Sequence, residues 1–218
     1  MISAKTIIVS KTARYFVLGE PSNKIESIWF VLHGFAQLAE DFIKNFESFA
    51  DNTKLIIAPE ALNKFYIKGA EGSIGATWMT KEDRQNEIND YVNYLNELCD
   101  EVLKQFAERK VKINVLGFSQ GGATAARWTV MGNSQLDRLI IWGSPLPPDI
   151  DLHTHRELLN TLDLAIVAGD EDYYLTRELL ESEVARLNLN KIDHQVHIFK
   201  GKHQIDPESL NKYFGSAT

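Results

Sequence analysis

Two kinds of hydrophobic pattern alternate along the chain. Short, almost wholly apolar runs are typical of strands buried on both faces of a sheet. Apolar residues that recur every three to four positions are typical of helices with one face against a core. Strands are predicted at residues 5–10, 13–18, 27–32, 54–58, 111–118, 138–142, 163–168 and 193–199. Helices are predicted at residues 40–50, 81–108, 120–131, 175–189 and 207–213.

The order of these elements indicates an α/β fold. Strands that alternate with helices form a mostly parallel sheet with helices on both faces. The first two runs, 5–10 and 13–18, precede any helix and predict an antiparallel N-terminal pair. Neither a linker nor an internal repeat interrupts the pattern, so we expect one domain over residues 1–218.

Composition and charge exclude several classes of protein. The formal net charge is −7 and no basic patch is visible, which argues against nucleic acid as a partner. The single cysteine, Cys99, cannot form an internal disulfide and sits at core spacing in the helix predicted at 81–108. No apolar run approaches the ~18 residues of a membrane span, and the N-terminus lacks a signal-peptide pattern. We therefore expect a cytoplasmic protein without integral membrane association.

The segment Gly117–Gly121 carries the sharpest chemical signal. It reads Gly-Phe-Ser-Gln-Gly, follows an apolar run and opens a small-residue helix. This strand–turn–helix context is that of a nucleophile elbow, in which a strained turn holds Ser119 above the carboxyl edge of the sheet. The alternative is an ordinary glycine-rich turn with an incidental serine. The pattern favours Ser119 as a nucleophile.

A serine nucleophile needs a base, which is typically a histidine oriented by a carboxylate. In this kind of fold the partners follow the serine in the order acid, then histidine. Of the six histidines, His203 alone follows a predicted strand at the required place in that order. Asp170 and Asp172 both follow the preceding strand, and their spacing does not decide which of them is the acid. The other histidines are expected to be structural or exposed rather than metal ligands.

The segment Leu32–Gln37, Leu-His-Gly-Phe-Ala-Gln, also lies at a strand end. A tetrahedral intermediate needs N–H donors for its oxyanion. One donor is expected from Gln120, the residue after the nucleophile, and the other from the backbone of Phe35 in this loop. These two residues are the predicted oxyanion hole.

At these motifs the chain resembles the α/β-hydrolase superfamily, and within it the phospholipase/carboxylesterase group that includes the acyl-protein thioesterases. The resemblance rests on FVLHGFAQ, GFSQGG, GDEDYYL and GKHQI, in the family's order and approximate spacing. It implies that Asp172, the second aspartate of the GDED segment, is the triad acid, and that Asp170 supports its loop. It also implies the α/β-hydrolase fold. The connection over residues 143–162, where a cap domain usually enters this fold, is too short for a large cap and must already hold a helix.

Two segments depart from the family pattern. The family often has HGxGD where this chain has HGFAQ, which need not disable a backbone oxyanion donor. Residues 59–80 do not align with a known substrate-binding loop. Their aromatic residues either line the acyl group or anchor the loop onto the sheet. The residues predicted to line the substrate are Phe35, Trp78, Met79 and Tyr173.

The resemblance implies a serine-dependent hydrolase of carboxylic esters or thioesters, acting through an acyl-serine intermediate. We expect a small-molecule acyl substrate, no metal and no organic cofactor. The alternatives are other serine chemistry on the same fold, such as that of a peptidase or an acyl transferase, and a non-catalytic binding domain. A homodimer is left open.

Overall fold

A computed structural model describes residues 1–107 and 109–215. Residue 108, at the end of the helix predicted at 81–108, and residues 216–218 lie outside the described part. The strands are β1 Tyr15–Leu18, β2 Ser27–Leu32, β3 Lys54–Pro59, β4 Asn63–Tyr66, β5 Ile74–Thr77, β6 Lys112–Phe118, β7 Arg138–Trp142, β8 Asp163–Gly169 and β9 Gln195–Phe199. The helices are α1 Ala39–Phe42, α2 Arg84–Leu103, α3 Gln120–Met131, α4 Arg156–Leu159, α5 Arg177–Leu189 and α6 Pro207–Phe214.

Seven strands form the central sheet in the order β1-β3-β2-β6-β7-β8-β9. Every neighbouring pair is parallel except β1 and β3, which run antiparallel at one edge with Tyr15 opposite Pro59. The prediction of a mostly parallel sheet is confirmed. Because the six parallel strands point the same way, their carboxyl ends all meet at one edge of the sheet.

Both faces of the sheet are covered. Side chains alternate along β2, so that Ile28 and Phe30 join the core under α2, α3 and α5. Trp29 and Val31 join the opposite core, with α1 and α6. Successive residues of a strand point to opposite faces, which explains why the strand runs of this sequence are almost wholly apolar.

Two helices differ clearly from their predicted bounds: the helix predicted at 40–50 ends at Phe42 and is followed by a 3-10 turn over Ile43–Phe46, and the helix predicted at 81–108 spans Arg84–Leu103. Helix α6 begins at Pro207, and the Asp206 carboxylate caps it by accepting the Ser209 N–H at 2.9 Å. None of the helices in the described ranges is long and apolar enough to cross a bilayer.

The predicted N-terminal strand pair is wrong. Residues 13–18 contribute β1, but β1 pairs with β3 rather than with residues 5–10, which form no strand. Ile7 and Ile8 are 85% and 98% exposed. The run has the composition of a strand, but without a buried face β-propensity alone does not hold a strand in place.

Residues 59–80, which the sequence left as an unaligned loop, contain an antiparallel hairpin of β4 and β5. The hairpin packs against the loop that follows β2. The Ala36 N–H donates to the Ala76 carbonyl at 2.9 Å, and the Ala76 N–H donates to the Gln37 carbonyl at 3.2 Å. Each strand has only four residues, of which two are polar or glycine, so their sequence pattern is weak.

The connection over residues 143–162 contains only the short helix α4 and forms no large cap, as predicted. Its first part is held by Asp149, whose carboxylate accepts from Arg127 Nε at 2.9 Å and Nη2 at 2.8 Å. Arg84 adds a further ion pair to Asp149 at 3.1 Å. The Arg127 side chain is 6% exposed, so this bridge ties the loop to the core of the molecule.

We expect Asp149→Asn to lower the free energy of unfolding at pH 7 by about 2 kcal/mol, because it leaves a buried guanidinium without its charged partner. This loss is smaller than that for a fully buried ion pair, because the Asp149 side chain is 36% exposed and solvent screens its charge. Arg127 lowers the pKa of Asp149 to about 2, so the ion pair stabilises the fold above the ordinary pKa of aspartate. That stabilisation is lost as the pH falls towards about 2.

Urea unfolding at several pH values measures this effect. The difference between wild type and Asp149→Asn should narrow as the pH falls below about 5. Asp90→Asn, at an exposed position of α2, is the matched loss of charge and should change stability by less than about 0.5 kcal/mol. A difference that is independent of pH would contradict the assignment to the ion pair.

Candidate active site

The predicted site residues lie at the carboxyl edge of the sheet. Phe35 follows β2, Ser119 follows β6, Asp172 follows β8 and His203 follows β9. Those strands lie within a stretch of consecutive neighbours, β2-β6-β7-β8-β9, so residues far apart in sequence meet above one edge. This is where open α/β sheets bind ligands.

Ser119 occupies a strained turn between β6 and α3. Its φ is 53° and its ψ is −117°, a conformation that residues other than glycine rarely adopt. A Cβ at Gly117 would lie 2.2 Å from the Gly121 carbonyl oxygen, and one at Gly121 would lie 2.1 Å from the Leu32 carbonyl oxygen. The two glycines therefore allow strand and helix to approach closely enough to form the turn. The Ser119 N–H donates to the Trp142 carbonyl at 2.8 Å, which fixes the turn to β7.

Three of the predicted residues form a continuous hydrogen-bonded chain. His203 Nε2 lies 2.9 Å from Ser119 Oγ, and His203 Nδ1 lies 2.8 Å from Asp172 Oδ2. The Asp172 side chain is 1% exposed and that of His203 is 13% exposed. The other oxygen of Asp172 accepts the Tyr174 N–H at 2.8 Å and the Leu175 N–H at 3.0 Å. These donors compensate the cost of burying the carboxylate.

The two aspartates have different partners. Asp170 Oδ1 accepts the Gly201 N–H at 2.8 Å, which ties the loop after β8 to the loop that carries His203. The Glu171 N–H donates back to the Gly201 carbonyl at 2.9 Å. Trp142 Nε1 holds the same loop by donating to the Gln204 carbonyl at 2.9 Å. The structure thus brings Asp172 to the imidazole and places Asp170 in support of the loop.

The imidazole of His203 is enclosed by neighbours that the sequence did not single out. The Phe118 ring centroid is 4.8 Å from that of the imidazole and the Tyr174 centroid is 4.6 Å from it. A Cβ at Gly143 would lie 3.1 Å from His203 Cε1. Tyr174 lies two residues after Asp172 in the GDEDYYL segment, so the sequence offered a signal for its place near the triad. Gly143 is distant in sequence, and only the fold reveals its contact.

The loop after β2 forms a tight turn in which the Gln37 N–H donates to the Gly34 carbonyl at 3.3 Å. The Gly34 N–H donates to Gln37 Oε1 at 2.7 Å, and Ala36 has a φ of 63°. The chain therefore closes the turn with a glutamine amide at Gln37, where the family often has aspartate. Within the described part of the chain, no protein acceptor takes the backbone N–H of Phe35 or of Gln120.

His33 supports this loop from beneath. It is buried, and its Nε2 accepts the Ala61 N–H at 3.0 Å while its Nδ1 lies 2.7 Å from the Gly34 carbonyl oxygen. Nε2 must be unprotonated to accept, so the tautomer with a proton on Nδ1 satisfies both contacts. Burial lowers the pKa of His33, which keeps the ring neutral.

The Gln120 side chain connects the start of α3 to the segment after β5. Its Oε1 accepts the Trp78 N–H at 3.1 Å, and its Nε2 donates to Thr77 Oγ1 and to the Met79 carbonyl, each at 2.9 Å. These bonds hold the first residue of α3 against the segment that follows β5.

The four residues predicted to line the substrate differ in how far they are exposed to solvent. Phe35 is 57% exposed and stacks on Phe65 with ring centroids 5.2 Å apart, and Tyr173 is 69% exposed. Trp78 is only 1% exposed, and its Nε1 donates to the His33 carbonyl at 2.8 Å. The expectation for Trp78 is wrong, because its ring is packed inside the core. Met79 is partly buried, with its sulfur 3.7 Å from Arg127 Nη1.

The remaining histidines are placed elsewhere. His197 stacks on Tyr213 with centroids 4.3 Å apart, and His194 Nδ1 lies 2.8 Å from the Ile192 carbonyl oxygen. The backbone N–H of His153 donates to Asp151 Oδ1. Among the residues that the structure describes, no three His, Cys, Asp or Glu side chains are grouped to hold a metal ion.

We expect Gln37→Ala to lower kcat for ester hydrolysis by about tenfold with little change in KM. The variant removes the acceptor of the Gly34 N–H and so loosens the turn that positions the Phe35 amide, a group that would act mainly in the transition state. Steady-state kinetics on one ester would measure the effect. Gln135→Ala, at an exposed glutamine, is the control. A rise in KM at unchanged kcat would show instead that the turn contributes to ground-state binding.

Comparison with known proteins agrees with the fold described above. The family model for phospholipase/carboxylesterase proteins matches residues 13–214. Acyl-protein thioesterase 2 of Zea mays has a similar structure, with a TM-score of 0.70 at 17% identity over 92% of this chain and 96% of that one. The Bacillus cereus carboxylesterase has a TM-score of 0.67 at 16% identity over 92% of this chain and 91% of that one. A search of curated protein sequences finds no significant match. With the family model matching nearly its whole length, this chain belongs to the phospholipase/carboxylesterase family of α/β-hydrolases.

Proposed function

We propose that this protein hydrolyses carboxylic esters or thioesters through an acyl intermediate on Ser119. The observation that carries the proposal is the chain of two hydrogen bonds from Ser119 Oγ through His203 to Asp172, at 2.9 and 2.8 Å. A hydroxyl becomes an effective nucleophile when a positioned base can accept its proton. Membership of the phospholipase/carboxylesterase family supports an ester substrate.

The reaction begins with attack of Ser119 Oγ on the acyl carbonyl carbon. His203 Nε2 takes the serine proton, and Asp172 orients the ring and stabilises the imidazolium that forms. His203 then donates that proton to the leaving alcohol or thiol as the bond to the acyl carbon breaks. Water enters, gives a proton to His203 and attacks the acyl-serine, which releases the carboxylic acid and restores Ser119.

The negative charge on the carbonyl oxygen has two nearby donors. The backbone N–H groups of Phe35 and Gln120 would each donate to the oxyanion of the tetrahedral intermediates. Both groups are free of protein acceptors in the described residues. Gln37 and His33 hold the first of these donors, and the hydrogen-bonded side chain of Gln120 holds the second. The donors are thus oriented before the charge develops, which is the condition for strong stabilisation.

The short connection over residues 143–162 favours substrates that reach Ser119 directly from solvent. Among the described residues no large cap covers the carboxyl edge, and the exposed Phe35 lies on the loop that would supply an oxyanion donor. We assign the Phe35–Phe65 stack to contact with the acyl group. The likeness to an acyl-protein thioesterase and to a carboxylesterase supports both leaving-group classes, alcohol and thiol.

The proposed reaction needs no metal ion or organic cofactor, because the nucleophile, the base and the oxyanion donors are groups of the chain and the second substrate is water. A cytoplasmic location stays a prediction from the sequence. The sequence leaves open whether the protein forms a homodimer, and analytical ultracentrifugation would test this.

The test is hydrolysis of a p-nitrophenyl ester series from acetate to palmitate, together with labelling by a fluorophosphonate. The expected results are turnover of at least one ester and a covalent adduct that peptide mass spectrometry maps to Ser119. The best acyl length would report the size of the acyl site. A folded protein that hydrolyses no ester of the series and takes no label would overturn the proposal.

A further inference from the structure

Two tyrosines stand directly beside the catalytic histidine with their rings exposed. Tyr173 is 69% exposed and Tyr174 is 58% exposed. Their ring centroids are 4.1 Å apart with an interplanar angle of 34°. Tyr174 lies 4.6 Å from the imidazole of His203 and Tyr173 lies 6.5 Å from it, centroid to centroid. Exposed aromatic rings at a reaction centre are available to a ligand.

The pair is tied to the triad. Asp172, the residue before it, accepts the Tyr174 N–H at 2.8 Å while its other oxygen bonds to His203. A hydrogen bond with the Tyr174 phenol raises the pKa of Tyr173, so the Tyr173 phenol stays protonated near neutral pH. The rings therefore present uncharged, partly apolar faces in a position set by the catalytic carboxylate.

The mechanism determines which part of the substrate meets these rings. In the proposed reaction His203 Nε2 protonates the leaving oxygen or sulfur, which must come within about 3 Å of it. A group joined to that atom by a single carbon reaches the neighbourhood of the imidazole, where Tyr174 lies. The acyl carbonyl oxygen is directed instead to the amides of Phe35 and Gln120. Tyr173, which the sequence assigned to substrate lining in general, thus belongs to the leaving-group side.

We propose that this protein selects esters and thioesters whose leaving alcohol or thiol bears an aromatic ring one carbon away from the reacting oxygen or sulfur. This inference rests on the proposed function. Aromatic pairs attract in offset or edge-to-face geometry beyond the gain from buried area, whereas an aliphatic group of the same size gains only from area. Two exposed tyrosines beside the proton donor provide that preference in the transition state.

The experiment compares benzyl acetate with cyclohexylmethyl acetate. Both carry the same acyl group and a six-membered ring on one methylene, so the principal difference between them is the aromaticity of the leaving group. We expect wild-type kcat/KM to be about two- to tenfold higher for the benzyl ester. The Tyr173→Leu/Tyr174→Leu double variant should hydrolyse the two esters at nearly equal kcat/KM.

The ratio of the two rates is the readout, because a general disturbance of His203 by the substitutions lowers both rates together. Tyr15→Leu, at an exposed tyrosine on the edge strand β1, should retain the wild-type ratio. Equal rates in wild type, or a preference that survives in the double variant, would overturn the inference and leave the proposed function intact. No hydrolysis of either ester or of the p-nitrophenyl series would overturn both.

Discussion

Replacement of Ser119 with alanine should lower kcat for ester hydrolysis by about 10⁴-fold or more, which is the loss seen when a triad nucleophile is removed. The variant retains the fold, because alanine fits the space of serine and has the same steric restriction at the positive φ of the elbow. The residual rate would come from binding and from the oxyanion donors at Phe35 and Gln120. The measurement is kcat on the best p-nitrophenyl ester, with a thermal melt to verify folding.

Ser182→Ala is the matched control for this variant. Ser182 is exposed on α5, away from the carboxyl edge of the sheet, and should keep wild-type kcat. Retention of more than about a tenth of the activity by folded Ser119→Ala would refute an acyl-serine intermediate at this residue.

Asp172→Asn should lower kcat by about 10⁴-fold at neutral pH. The side-chain amide of this variant would keep an oxygen for the Tyr174 and Leu175 N–H groups and would turn its NH₂ group towards His203 Nδ1. Nδ1 would then have to accept a hydrogen bond, which places the imidazole proton on Nε2. An Nε2 that already carries a proton cannot take one from Ser119, so the base is lost although the geometry survives.

Asp170→Asn is the control that the chain itself provides. It removes the same charge from the same loop, but an asparagine oxygen can still accept the Gly201 N–H. We expect it to lower kcat by less than about tenfold. If Asp170→Asn alone abolished turnover, the assignment of Asp172 as the acid would be wrong.

The core strands illustrate what a local pattern can predict. Strand β2 was predicted at 27–32 and β7 at 138–142, with the bounds that the structure has. Both are buried on both faces, so nearly every residue is apolar and the pattern is strong. The run 5–10, KTIIVS, is also rich in β-branched residues, yet it forms no strand. Composition reports the propensity of a segment, and the presence of a neighbour to pack against decides whether that propensity is used.

The hairpin β4–β5 shows the opposite case, in which strands form although their sequence pattern is weak. Its strands have four residues each, and the hydrophobic pattern gives little sign of them. They form because β5 finds hydrogen-bond partners on the loop after β2, including Ala36. The same packing buries Trp78, whose aromatic character had suggested a place in the cleft.

For this protein, the sequence alone determined the sheet class, the elbow at Ser119 and the place of His203 in the chain order, because strand burial and a glycine-flanked turn are local properties. The choice between Asp170 and Asp172 was open from spacing, and the family resemblance indicated Asp172. The tertiary structure alone decided the contacts of the Tyr173–Tyr174 pair, the burial of Trp78 and the approach of Gly143 to His203. Each of these depends on how loops from different strands meet at one sheet edge, and no local pattern encodes the distance between segments that are far apart in the chain.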